Sequence, residues 1–438
     1  MTTPIVLMFI CLIALLLAGY PVAFALGSIA LIFGWAYLGL DFFTLLPLQI
    51  WGVMTNFTLL AVPLFIFMGI ILDKSGLAED LLETMGRLGN RLRGGLALSV
   101  VFVGAMLAAT TGVVGATVVT MGVIALPTML KQNYSPALAS GTIAASGTLG
   151  QIIPPSIILI LLGDVIGVPV GRLFVGAVVP GLLLVLMFMI YISAHAWYKP
   201  EVAPAIEQVD KDISLSATLL TIAPPLFLIA AVLGSIFFGI ASPTESAAVG
   251  AIGAMILALS HKKLTLENVR SACEQTTRLT SMVFLILIGA SAFGLVFRGL
   301  GGDSIVFDLV RNLPGGENGF LLVSMLLIFF LGFFLDFLQI CFIVVPILAP
   351  IADKMGLDLL WFAILIAINL QTSFLTPPFG FSLFYLKAVA PKTVSIKHIY
   401  SGIIPFVILQ IILLATLLYF PEMVTWLPDK MDKLHGLD

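Results

Sequence analysis

The sequence predicts an all-α polytopic membrane protein made of two inverted repeats, each with a re-entrant helical hairpin and a broken transmembrane helix. Three observations predict it. The 438 residues are 60% hydrophobic and only 10% charged, where an average soluble protein has about 25% charged residues. Apolar runs of roughly bilayer-spanning length, separated by short charged segments, recur along the chain. A set of punctuating residues also returns at a fixed interval. Adding 223 carries Pro127 to Pro350, Lys131 to Lys354, Pro154 to Pro377 and Pro155 to Pro378.

The same composition excludes other classes. Twenty basic and 23 acidic residues give a net charge of −3, and no long block of either sign offers a surface for nucleic acid. Cys11, Cys273 and Cys341 lie far apart without a CxxC pair, which argues against a disulfide framework and a zinc site. The N-terminal run has no basic residue before Lys74, so it reads as a retained helix rather than a cleaved signal. A GxxxxGK[ST] phosphate loop is absent from the sequence; the chain needs no cofactor, and any work it does draws on a gradient rather than ATP.

In chain order the apolar runs cover residues 4–18, 20–39, 52–73, 95–130, 138–162, 172–195, 216–240, 243–260, 279–297, 319–352, 358–387 and 399–420. Runs 95–130 and 319–352 are too long for one simple span and too short for two, which suits a helix, a turn and a helix that returns to the side it came from. The expected tips are ATTGVVGAT (residues 109–117) and GFFLDFLQ (residues 332–339). The run after each hairpin is interrupted, by GTLGQIIPPS at 147–156 and by QTSFLTPPFG at 371–380. Proline removes a backbone donor and clashes with the preceding turn, so paired prolines at mid-membrane split a helix into halves.

Hairpin, lysine, broken span and proline pair share one offset, and GYPVAFALG (19–27) and ASPTESAAVG (241–250) open matching spans at nearly the same one. The expected organisation is a first repeat over 1–195, a cytoplasmic linker over 196–215 and a second repeat over 216–438. A hairpin that returns to its own side leaves an odd number of crossings between equivalent points, so the repeats point in opposite directions. With both termini outside, 14 of the 20 basic residues fall in cytoplasmic loops and 6 outside, as the positive-inside bias requires.

A tip meeting a break at mid-depth brings helix ends together, and helix C-terminal carbonyls attract cations. Two such meetings imply two sites for a hard cation such as Na⁺, held by backbone carbonyls and hydroxyls. One is expected at Thr110, Thr111, Gly112 and Gly115 with Gly147, Thr148 and Gly150; the other at Gly332 and Asp336 with Thr372 and Thr376. Asp336 is the only acidic or basic residue between Leu321 and Ile351, and a carboxylate at that depth costs about 2.5–3.5 kcal/mol. It serves as cation ligand or proton carrier, or it caps the second hairpin helix; the roles are compatible. Glu245 in SPTES reads as a helix cap, and Asp164 reads as a solvated residue at the outer end of its span. No Lys or Arg falls in mid-span, so an organic anion would rely on helix N-termini and on groups such as Thr148, Gln151, Ser156, Asn369 and Gln371. Those amides serve equally to satisfy backbone groups at the breaks.

These residues resemble the DctM-type large membrane subunit of the tripartite ATP-independent periplasmic (TRAP) transporters. The resemblance covers nearly the whole chain and rests on GYPVAFALG, ALPTML, KQNYSPALASGTIAASG, GQIIPPSIILILLG, GIASPTESAAVGA, LGFFLDFLQICFIVVPILAPIADKMG and NLQTSFLTPPFG together. It implies a sodium-driven elevator in the bacterial inner membrane, in which a body holding both hairpins and broken helices carries Na⁺ and an organic acid inward. It also implies a small four-helix membrane subunit and a periplasmic solute receptor as partners. The chain departs from the family at the first tip, where many members have a Ser-rich stretch followed by Asp and TTGVVGATVV has no acid. A stand-alone ion-coupled anion symporter of the same superfamily, or a channel, would be the competing readings. An intramembrane enzyme is disfavoured because the sequence shows Asp336 no second mid-membrane acid or His.

The orientation is testable in intact cells. A cysteine introduced in the loop at 73–94 is expected to resist an impermeant thiol reagent added outside; rapid labelling there would reverse the assignment.

Overall fold

The computed structural model describes residues 2–89, 92–111, 114–205, 215–311, 314–434 and 436, and every regular element among them is helical. The first half runs α1 (Thr2–Leu17), α2 (Val22–Leu38), α3 (Leu46–Met54), α4 (Ala61–Lys74) and a short amphipathic α5 (Leu77–Gly89). The first hairpin follows as α6 (Gly95–Thr111) and α7 (Val114–Lys131), then the two halves of a broken helix, α8 (Pro136–Thr148) and α9 (Ile157–Ile166), and a long span α10 (Val170–Tyr198). The second half repeats this order. It comprises α11 (Leu215–Phe237), α12 (Pro243–Ser260), α13 (Leu266–Gly299), amphipathic α14 (Gly302–Arg311), the first hairpin arm α15 (Gly316–Leu331) and the returning arm α16 (Phe337–Gln339). The returning arm continues through a π-wound stretch, Ile340–Val344, into α17 (Val345–Lys354); broken helix α18 (Leu359–Leu375) and α19 (Phe381–Val389), long α20 (Ile396–Tyr419) and terminal α21 (Glu422–Leu434) complete the chain.

The first hairpin closes on its own side. Leu96 N–H, at the start of α6, donates to the hydroxyl of Tyr134, just past the end of α7, at 3.3 Å. The breaks fall at the proline pairs, and the 154–155 and 377–378 peptide bonds are both cis.

The helix α20 measures the direction of the two broken helices. Near its start, Gly402 lies against Ala137 and Gly141 of α8; near its end, the Leu417 carbonyl accepts from Trp361 Nε1 of α18 at 2.8 Å. Those points are 15 residues apart, or about 22 Å along a helix. Yet the other ends of α8 and α18 meet, with Gln371 Nε2 donating to Thr148 Oγ1 at 3.2 Å. The two helices therefore enter from opposite ends of the molecule and run toward each other, as inverted repeats require. Gln371 is also Thr148 plus 223, and a residue that touches its own repeat equivalent lies near the pseudo-two-fold axis.

The same symmetry interlocks the halves. Helix α2 packs on α13 and α12 on α4, while α8 packs on α20 and α18 on α10. Each pairing is the other with the repeats exchanged. The two ends of the molecule are also distinct. Gly94 and Ser135 hydrogen-bond the carbonyls of Ala203 and Val202 beyond the C-terminus of α10, which gathers the loops that hold Arg93, Lys131 and Lys199. At the opposite end Arg172 pairs with Asp429 and Asp432, both at 3.1 Å.

The structure departs from the sequence reading in the arms. The run 52–73 reads as one span, but the chain from 40 to 74 bends by 52° between α3 and α4. Asn56 occupies the bend, its Oδ1 accepting from Thr58 N–H (2.9 Å) and Leu59 N–H (3.4 Å), and Thr244 Oγ1 donates to the freed Phe57 carbonyl at 2.9 Å. The repeat equivalent is the uninterrupted 34-residue α13, longer than the run 279–297 because its polar first turns stay helical. Glu245 does cap α12, exchanging hydrogen bonds with Ser242.

The α8–α20 crossing tolerates no side chain, since a Cβ on Gly141 would strike the Gly402 carbonyl and one on Gly402 the Ala137 carbonyl. Small residues let membrane helices approach this closely. Gly402→Leu is expected to destabilise the protein by about 1–3 kcal/mol or more, read as a lower unfolding temperature in detergent. Gly234→Leu, at a glycine with open space around it, is the control and is expected to leave that temperature unchanged.

Candidate functional site

Both hairpin tips, the second halves of both broken helices and both arms converge on a cavity of about 450 Å³. Residues 114–116 of α7 and 336–338 of the second tip form two walls; Ile66 of α4 and Leu279, Met282 and Val283 of α13 form the wall toward the arms. Ile157, Phe374, Phe381 and Tyr385 complete it. Asp336 is the only carboxylate among these residues, and no Lys, Arg or His is among them.

The expected residues of the second tip each have a definite place. At the second tip, Leu335 N–H and Phe334 N–H fold back to the Leu331 carbonyl, at 2.8 and 3.0 Å, and close a tight turn. Asp336 then caps the returning helix, its Oδ1 accepting from Phe337 N–H at 2.7 Å while Gln339 Oε1 accepts from Asp336 N–H at 3.3 Å. The carboxylate thus caps a helix and also lines the cavity. Gly332 sits against the Ser373 side chain so closely that any Cβ would displace it. The tip is held further by the Phe334 and Phe379 rings, 5.2 Å apart. The hydroxyls of Thr372 and Thr376 donate to the Ile368 and Thr372 carbonyls, both at 2.8 Å, inside their own helix end.

At the first tip, Gly115 faces the Tyr385 ring, where an added Cβ would come within 3.1 Å of the ring carbons. The side chains of Thr110 and Thr111, at the end of α6, and Gly112 lie outside the described residues. Gly147, Thr148 and Gly150 are buried at the first break beside the hairpin, with Gly147 packed on Val118 of α7. The Thr148 hydroxyl donates to the Ala145 carbonyl at 2.8 Å and accepts from Gln371. The second tip thus packs on its break through Gly332 and Ser373, and the first break packs through Gly147 on Val118 of α7.

None of Gln151, Ser156, Asn369 or Gln371 is among the cavity-lining residues. Asn369 Nδ2 donates to the Met325 carbonyl at 2.6 Å and ties α18 to the hairpin; Ser156 Oγ donates to the Gln151 carbonyl at 2.9 Å. At the second break Ser382 Oγ caps the Phe374 carbonyl at 2.9 Å, and Tyr400 does the same for Pro378. Hydroxyls thus meet several of the main-chain groups that the breaks release, and a carbonyl so capped keeps a second lone pair. Among the described residues, both amide atoms of Gln151 and Oε1 of Gln371 are buried without a hydrogen-bond partner.

Asp164 is not the solvated outer residue the sequence suggests. It is half-buried on α9 and accepts a hydrogen bond from Asn56 Nδ2 at the arm bend. Sequence reasoning misses the cavity-wall residues of α13 and α19. Nothing in an apolar run distinguishes the side chains that face a cavity from those that face lipid.

The comparisons with known proteins bear on family and fold. Residues 9–423 match the family model of the tripartite ATP-independent periplasmic transporter, DctM component. The chain is 30% identical to the C4-dicarboxylate TRAP transporter large permease protein DctM of Vibrio cholerae, over 97% of both chains. It is 29% identical to the sialic acid TRAP transporter large permease protein SiaM of the same organism, over 95% of this chain and 96% of that one. In fold it is similar to the YdaH transporter of Alcanivorax borkumensis, with a TM-score of 0.65 at 15% identity over 98% of each chain. With a family model spanning nearly its full length, the chain belongs to the DctM-type large permease component of the TRAP transporters.

Proposed function

We propose that this permease imports an organic carboxylate in a sodium-coupled cycle, receiving it from a periplasmic receptor and working beside a small four-helix membrane subunit. The observation that carries the reading is the cavity at the junction of two hairpin tips and two arms. Cargo there touches both the hairpin body and the arms, so sliding one past the other carries it across the bilayer. The body comprises α6–α9 and α15–α19; the arms α4 and α13 belong to the interlocked frame with α2 and α12. The membrane is the bacterial inner membrane, with both termini on the periplasmic side, as the distribution of basic residues favours.

Sodium is cargo in this scheme. At the first site it sits between the tip residues Thr110, Thr111, Gly112 and Gly115 and the carbonyl end of α8 at Gly147, Thr148 and Gly150. The unpaired buried oxygens of Gln151 and Gln371 nearby support it, since a buried acceptor without a donor is what a cation satisfies. At the second site Gly332, Asp336 and Ser373 meet the end of α18 at Thr372 and Thr376. Asp336 supplies the charge that the first tip lacks. Binding sodium at both tips before closure would fix the walls of the cavity, which couples cargo occupancy to ion occupancy without direct contact between them.

Reconstituted with the small subunit and receptor, the chain is expected to take up cargo only when an inward Na⁺ gradient is present. Asp336→Ala and Thr376→Ala are expected to raise the Na⁺ concentration needed for half-maximal uptake by at least the roughly tenfold seen when supporting ligands are removed from other metal sites. Uptake that ignores the gradient would overturn the coupling; an unchanged sodium dependence in the variants would remove those residues from the second site.

A further inference from the structure

Two side-chain hydrogen bonds join the hairpin body to the arm α4, one near each end. At the bend that opens the arm, Asn56 Oδ1 is taken by the Thr58 and Leu59 N–H groups, which leaves Nδ2 as the donor. That donor meets the carboxylate of Asp164 on α9. At the far end of the same arm, Asp73 accepts from Thr120 Oγ1 of α7 at 3.1 Å. The helix between them has 14 residues, about 21 Å of length, so the body is pinned at two separate depths. The frame backs the first pin, since Thr244 of α12 donates to the carbonyl of Phe57, next to Asn56.

The other arm has no such pins. Among the described residues, the side-chain hydrogen bonds of α13 stay within the arm and the loop before it, and it meets the cavity with Leu279, Met282 and Val283. The second half of the body lacks the matching groups. Adding 223 takes Thr120 to Ile343, which has no hydroxyl, and Asp164 to Lys387, whose Nζ donates to the Val394 carbonyl at 2.8 Å. Asn56, Asp73, Thr120 and Asp164 are all half-buried. Water can therefore replace a lost partner, and the bonds can open without stranding a polar group.

We propose that Asn56–Asp164 and Asp73–Thr120 form a double clasp that holds the body in the form described, and that both open whenever the body slides; this rests on the sliding cycle above. Movement by one helical turn, about 5.4 Å, exceeds the reach of either bond. Exchanging the roles of inverted repeats converts one facing form into the other. Only the first half carries the clasp groups, so the opposite form is not held in the same way.

The test reads which side of the membrane reaches the cavity. Cys273, which is exposed, is replaced by serine, and Met282→Cys on the cavity wall is labelled with an impermeant maleimide in membrane vesicles of both orientations. Thr120→Val and Asp164→Ala, singly and together, are expected to raise labelling from the slower side relative to the faster by about tenfold or more, the effect of losing a hydrogen bond to a charged group. Val123→Ala, at an exposed position on the same helix as Thr120, is the control and is expected to leave the ratio unchanged. A ratio that the clasp variants do not alter, or that the control alters as much, overturns the proposal. Buried Cys341 stays unlabelled in folded protein, and the small change in Thr120→Val keeps the proposal falsifiable if Asp164→Ala does not fold. Repeating the series in sodium and in potassium separates the two readings. A ratio shifted by the variants but equal in both cations upholds the clasp and refutes the coupling, whereas a sodium-dependent ratio that ignores the variants does the reverse.

Discussion

A bilayer offers main-chain groups no hydrogen-bond partner, so every carbonyl or amide released by a break in a spanning helix must be met inside the protein. This requirement shapes the molecule. The breaks after α8 and α18 are wrapped by hairpins, by the partner repeat's last span and by each other. Ser156, Ser382 and Tyr400 donate to carbonyls that the breaks leave open. Glycines at the helix crossings follow from the same need, because shelter at mid-membrane demands backbones close enough to exclude lipid. Gly141 and Gly402 bring α8 and α20 together, and Gly332 brings the second tip onto Ser373.

The pseudo-two-fold arrangement makes that shelter reciprocal. Each broken helix rests on the final span of the opposite repeat, and Thr148 and Gln371, equivalent residues, hydrogen-bond where the helices meet. Neither half could expose its broken helix alone without stranding polar groups in lipid. The cavity is therefore a product of pairing, taking one tip and one arm from each half. The two tips differ in sequence, with an acid, Asp336, at the second and none from Thr110 to Thr120 at the first.

What could be read in the sequence was whatever breaks a pattern. Proline pairs, glycines and a solitary mid-membrane aspartate stand out in an apolar background, which is why the hairpins, the broken helices and most tip and break residues were legible. The bend at Asn56 was not, because polar residues at a run's end read as a boundary and its repeat equivalent in α13 is unbroken. Amphipathic α5 and α14 fall between the apolar runs, since their charges end the runs on either side. Met282, Phe374 and Tyr385 were invisible for the opposite reason. A cavity wall made of ordinary apolar side chains differs from a lipid-facing surface only through tertiary packing, which a linear pattern does not encode.

One asymmetry reaches beyond local geometry. Two identical halves related by inversion would make a carrier's inward- and outward-open forms degenerate, because exchanging the roles of the halves converts one form into the other. Here one arm has an elbow pinned by Asn56 and Thr244, with Asn56 also bonded to Asp164, while its counterpart is one uninterrupted helix. The elbow breaks that exchange, so symmetry does not make the two faces of this protein equivalent.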